Sequence, residues 1–130
     1  MKNAIAITLA MLLSTASSAG PREDQLAQYA AATKSAGFSA ARGQTLHTQN
    51  FAGGKPDTPA CTSCHGKDVR GAGRTPVGKA IEAVAVSVTP TRYTDPAKVE
   101  KWFKRNCNEV LGRECTPQEK GDWLTYMIAQ

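Results

Sequence analysis

The chain has 130 residues, with 16 Lys+Arg against 11 Asp+Glu, a formal net charge of +5 and 6% aromatic residues. The basic residues are spread over several segments and aromatics are few, which leaves a nucleic-acid-binding role with little support. Apart from the N-terminal run, no segment is apolar enough to cross a membrane, and that run is short for a bilayer.

In chain order, Lys2, the apolar residues 4–13 and the small-residue stretch 14–19 form the pattern of a secretory signal peptide, with cleavage expected after Ala19. The alternative is an uncleaved anchor. The expected organisation is a signal peptide over 1–19 and one domain over 20–130, exported most simply to the bacterial periplasm, where disulfides persist. Removal of Lys2 leaves 15 Lys+Arg against 11 Asp+Glu, a charge of +4.

Pro21 with Glu23 and Asp24 opens a helix that carries Leu26, Tyr29 and Ala30 toward Gly37. Ser39 caps a second helix with Leu46 and His47. Residues 53–59, rich in Gly and Pro, form a loop. Residues 66–90 lack a sustained period and predict a long loop wrapped around a cofactor, with room for a short helical turn over 79–86. Asp95 as N-cap and Pro96 as first helical residue start the clearest helix, which ends at Gly112. Val99, Trp102, Phe103, Asn106 and Val110 share one of its faces. Thr116-Pro117-Gln118-Glu119 is a capping box opening a last helix with Trp123, Leu124, Met127 and Ile128 inside. The fold class is all-α, a small monohaem cytochrome c fold with several helices and long loops.

The cofactor is implied by Cys61-Thr62-Ser63-Cys64-His65, the C-x-x-C-H attachment signature of c-type haem. Two thiols add across the haem vinyl groups, and the next residue presents its imidazole to iron, making Cys61 and Cys64 the covalent anchors and His65 the proximal ligand. A bare C-x-x-C suits a redox disulfide or half a zinc site equally well; the adjacent His and the export signal favour haem. Two ionised propionates bring the net charge to about +2.

The sixth ligand separates an electron carrier from a gas-binding protein. The mature chain has one methionine, Met127, whose spacing from Trp123 and Leu124 suits core packing. His47 suits a surface or packing role over ligation. Asn106 is the unusual residue: an unpaired buried carboxamide costs about 1–3 kcal/mol, so it needs a partner. A hydrogen bond to backbone, water or a propionate satisfies it; so does iron. Cys107 and Cys115 are expected to pair, closing a short loop worth about 2.5 kcal/mol by loop entropy. Free thiols, or a four-Cys zinc site with Cys61 and Cys64, are the alternatives. Trp102 and Phe103 are expected to wall the haem pocket. Pro76 is a candidate acceptor, through its carbonyl, for the second ring N–H of His65, or else a tight-turn proline.

These residues resemble the SHP (sphaeroides haem protein) family of oxygen-binding monohaem cytochromes c. The resemblance covers most of the mature chain: residues 53–66 around the haem motif, Tyr93-Thr-Asp, Val99-Glu-Lys-Trp102, Arg105-Asn-Cys-Asn108 and Gly112-Arg-Glu-Cys-Thr-Pro117. It implies that Asn106 is an axial ligand in the oxidised state and that Cys107 bridges to Cys115. It also implies displacement of the Asn on reduction and binding of O₂, NO or CO, with a dihaem cytochrome c and a membrane cytochrome b as electron donors. One departure is the valine-rich 83–88 loop, where the family often has Pro-Leu-Ala-Pro. Three function classes remain: a gas-binding electron acceptor, a plain electron carrier, and a haem enzyme reducing O₂, peroxide or nitrogen oxides. No distal His or acid–base pair supports the third, and the missing loop Met opposes the second. Lys98, Lys101, Lys104 and Arg105 offer a docking surface or a solvated helix face. The expected state is a monomer or weak dimer.

Overall fold

The computed structural model describes residues 19–35 and 37–130; the signal peptide expected over 1–19 lies, but for Ala19, outside the described residues. The order is α1 (Pro21–Thr33), α2 (Ala40–Thr48), α3 (Thr62–His65), β1 (Gly73–Arg74), β2 (Ala80–Ile81), α4 (Pro96–Leu111) and α5 (Pro117–Ile128). No helix among the described residues is long and apolar enough to cross a membrane.

The helix starts are those the sequence predicts. The Ser39 side chain accepts from Arg42 N, that of Asp95 from Lys98 N, and Thr116 and Glu119 form the reciprocal capping box. Two features differ from the sequence reading. Helix α1 ends at Thr33, short of Gly37, because Lys34 turns into the left-handed region and the Thr33 hydroxyl takes the Ser35 N–H. The short helical turn expected over 79–86 is absent. Ala80 and Ile81 instead pair antiparallel with Arg74 and Gly73. Beyond them, Ala85 N–H donates to Val69 and Val86 N–H to Met127. Those backbone partners come from distant segments, and β-branched residues suit the extended chain that reaches them.

The packing centre is the crossing of α2 and α5. A Cβ at Gly43 would strike the Asp122 carbonyl and press on Tyr126, so only glycine lets the two helices approach this closely. The Asp122 carboxylate caps this contact, accepting from Ser39 N (2.7 Å) and from the Arg42 guanidinium (2.8 Å). One core cluster joins Val69, Val84, Ala85, Tyr126 and Met127; a second joins Val110 and Leu111 to the Cys107–Cys115 disulfide. Met127 is fully buried, in the packing place its spacing predicts.

Candidate functional site

Helix α3 is a single turn. His65 N–H donates to the Cys61 carbonyl and Gly66 N–H to that of Thr62; Gly66, at φ 71°, then turns the chain away. Cys61 and Cys64 are both free thiols on this turn. Burial pushes the Cys61 thiol up to about 11, and burial with the Glu109 and Asp57 charges raises Cys64. A redox-active C-x-x-C needs the opposite, a lowered thiol. Nor do three or more His, Cys, Asp or Glu converge as a metal cluster among the described residues.

Burial, and then the charges of His47 and Arg92, push the His65 imidazole down to about 4. It is neutral at physiological pH, the form that offers a lone pair to a metal. The backbone behind it is tightly packed. A Cβ on Gly73 would come within 3.0 Å of His65 Cα and closer still to the Cys64 carbonyl, so β1 lies directly against the turn. On the other side is His47, fully buried. Its Nε2 is 3.2 Å from the Gly66 carbonyl, and its Nδ1 accepts from Trp123 Nε1 at 3.3 Å. Both ring nitrogens are engaged, which fits the packing role rather than ligation. Pro76 is exposed in the turn joining β1 and β2, closed by Thr75 N to the Lys79 carbonyl and Gly78 N to that of Thr75. That position suits the tight-turn role; among the described residues no hydrogen bond reaches the His65 ring.

Helix α4 has two useful faces. Val99, Cys107, Val110 and Leu111 are buried. Phe103 also turns inward, edge-on to Tyr29 at 6.2 Å and to Trp123 at 5.5 Å. Trp102 and Asn106, four residues apart, lie on an outer face where the indole is 42% exposed beneath the Arg105 guanidinium. Trp102 and Phe103, both expected to wall the haem pocket, point in different directions: Trp102 is exposed and Phe103 is partly buried. Glu109, one turn beyond Asn106, pairs with Lys55 at 3.6 Å and acts on the Cys64 thiol. The end of α4 thus packs on the 53–55 loop that leads into the C-x-x-C-H turn.

Three attachments hold Asn106 in place. Cys107, its neighbour, is bonded to Cys115, with Cα atoms 5.6 Å apart. Lys55 N–H donates to the Glu109 carbonyl at 2.7 Å, and a Cβ on Gly54 would collide with that same carbonyl. Behind the helix, Glu100 accepts from Tyr29 Oη, from Gln25 Nε2 at 3.0 Å and from Lys120 Nζ at 2.7 Å. Sequence reasoning missed this cluster. The available signal was Glu100 standing on the same stripe as Phe103 and Cys107, at spacings of three and four.

Two unpaired thiols one turn apart and a neutral imidazole directly after them fit a covalently held, largely apolar macrocycle better than a zinc ion or a dithiol couple.

Comparison with known proteins agrees. Residues 33–127 match the model of a domain of unknown function, DUF1924. The cytochrome c-type protein SHP of Cereibacter sphaeroides is 57% identical over 91 residues, 70% of each chain. Cytochrome c″ of Methylophilus methylotrophus is 39% identical over 72 residues, 55% of this chain and 50% of that protein. The structure of oxidized SHP, an oxygen-binding cytochrome c, superposes with a TM-score of 0.82 at 50% identity, covering 85% of this chain and 98% of that one. Oxidized cytochrome c″ gives 0.72 at 30% identity, covering 85% and 94%.

Proposed function

Because the chain belongs to the SHP family of c-type cytochromes and carries haem c, we propose that it is an exported, periplasmic haem protein whose sixth iron position opens on reduction to admit O₂, NO or CO. The haem supplies a one-electron couple and an axial position for a diatomic ligand. His65 holds the proximal side as a neutral imidazole. Asn106 holds the distal side in the oxidised protein through its carboxamide, a hard and weak donor that suits ferric iron and is released by ferrous iron. The freed carboxamide remains beside the site as a hydrogen-bond donor. Trp102 shields that face from water.

The observation that carries this reading is the position of Asn106. It shares the outer face of α4 with Trp102, and the end of that helix packs on the 53–55 loop that leads into the haem turn, which supports this reading. Support comes also from the neighbours: SHP is an oxygen-binding cytochrome c, and a solution structure of cytochrome c″ concerns haem-ligand detachment. The one described methionine after residue 19, Met127, is occupied in the core, which disfavours a plain electron carrier.

Electron donors of the family type, a dihaem cytochrome c and a membrane cytochrome b upstream, have a candidate landing surface. Lys98, Lys101, Lys104 and Arg105 are exposed along α4, and Lys101 and Lys104 border an open groove of about 300 Å³. Absorption spectra of both redox states with and without CO test the proposal. The expected result is CO uptake after reduction and none before. A reduced spectrum indifferent to CO overturns it.

A further inference from the structure

We propose that His47 is a positioning residue that sets the orientation of the proximal imidazole through the Gly66 peptide. The inference rests on the reading of His65 as the proximal iron ligand. His47 lies on α2, remote in sequence from both groups it contacts, and is fully buried. An indole N–H only donates and a peptide carbonyl only accepts. The Trp123 Nε1–H therefore makes His47 Nδ1 the acceptor, which leaves the proton on Nε2, facing the Gly66 carbonyl. One tautomer satisfies both partners, and the ring spans from α5 through α2 to the haem turn.

Its surroundings leave it little freedom. Trp123 and Tyr126 pack about the ring at centroid distances of 6.3 and 6.1 Å, and His65 lies at 6.3 Å. Gly66 is the residue that needs such a hold. It sits at φ 71°, where glycine has unusual freedom, and it directly follows His65. Gly73 presses on the other side of the same turn. The His65 backbone is thus gripped between β1 and a peptide whose carbonyl is pinned by His47. The imidazole plane follows from that grip, because α3 is too short to hold its own end rigidly. Gly43, four residues before His47, allows the close approach of α2 to α5 that brings His47 and Trp123 together.

The test uses the haem-loaded protein and its variants His47→Phe and His47→Gln. Glutamine can accept from Trp123 and donate to Gly66; phenylalanine fills the space and does neither. The readouts are the iron–histidine stretching band of the reduced protein and hydrogen exchange at the Trp123 indole. In His47→Phe the band is expected to shift and broaden, and the indole proton to lose its protection. In His47→Gln both should return toward the unsubstituted protein, even if the melting temperature stays low. An unchanged band in His47→Phe, or an equal shift in both variants, overturns the inference and reduces His47 to packing. Should His47→Phe fail to load haem, Trp123→Phe carries the test: a smaller shift in the same sense supports the relay, and an unmoved band sinks it. Absence of any iron–histidine band in the reduced unsubstituted protein would instead remove the premise of a five-coordinate ferrous haem held by His65.

Discussion

The two sides of the haem site are held by different means. On the proximal side the haem-binding residues are contiguous, Cys61 to His65, and the supports of the turn are backbone or buried ring: Gly73, Gly66 and His47. On the side proposed as distal, Asn106 is exposed on its helix, and the supports belong to the helix rather than to the residue: the disulfide, the Lys55–Glu109 clamp and the Glu100 cluster. On the proposed proximal side, the His65 backbone is packed against Gly73. The carboxamide proposed as distal ligand is an exposed side chain on a helix braced by its neighbours. That difference is what a site needs if one ligand stays through the redox cycle and the other leaves.

The largest test removes the proximal side altogether. Replacing both Cys61 and Cys64 by Ala should abolish covalent haem, read as loss of the haem stain on a denaturing gel. The remaining chain is a small domain deprived of a large apolar surface, so its thermal transition should broaden or vanish. A sharp transition in that variant would show that the fold does not depend on the cofactor.

Next in size is the distal ligand. Asn106→Met replaces a weak, hard donor by a soft thioether that ferrous iron retains. If closure of the ferrous site by the thioether is favoured over the open site by about 1.4 kcal/mol, apparent CO affinity of the reduced protein falls about tenfold. Unchanged CO binding would count against release of Asn106 as the gate. Asn106→Ala makes the opposite prediction: the oxidised protein loses its native sixth ligand and its spectrum changes, while reduced CO binding persists.

The same division separates what could be read in the sequence from what could not. The proximal motif is five consecutive residues, so its chemistry shows in one line of text. The helix starts are equally local, because Ser39, Asp95 and Thr116 cap with their own side chains. What holds those elements together is long-range. Tyr29 and Glu100 are 71 residues apart, and His47 and Trp123 are 76 apart. No spacing rule brings such pairs together. The misreading of 79–86 has the same origin: Val69 and Met127, distant in sequence, supply the backbone partners. The sequence reading places Trp102 and Phe103 on one helix face, yet successive helix positions point about 100° apart, and the structure leaves Trp102 exposed while Phe103 packs partly buried against Tyr29 and Trp123.

Opening the distal support is the third test. Loss of the Cys107–Cys115 bridge, in Cys107→Ser with Cys115→Ser, should cost about 2.5 kcal/mol from a loop this short. Denaturant titration of the haem-loaded protein measures it. Because the bridge adjoins Asn106, the variant should also bind CO faster after reduction. A stability loss with unaltered CO kinetics would separate the bridge from the ligand.

The smallest effect concerns Glu100 and has a definite pH signature. Burial by itself raises this carboxyl, but the hydrogen bonds from Lys120 and Tyr29 and the Lys120 charge outweigh it and hold the group below its ordinary range. Its folded value is therefore depressed relative to the unfolded chain. The stabilisation it provides is fully present above the unfolded value, about 4.3, and is lost as pH falls through the folded one. The Glu100 side chain is 43% exposed, so water screens the pair and the total is small. Glu100→Gln should cost about 1 kcal/mol at neutral pH, the scale of one well-formed hydrogen bond to a charged group after screening. The difference between the variant and the unsubstituted protein should shrink as pH drops below about 4, since protonation removes the same charge. Lys120→Met should show a similar convergence, because it removes the other half of the pair. Phe103 lies under Lys120 at 5.9 Å, so this second variant also disturbs packing next to Trp123. A pH-independent difference for Glu100→Gln would mean that Tyr29 and Gln25, rather than the ion pair, fasten α4 to the rest of the molecule.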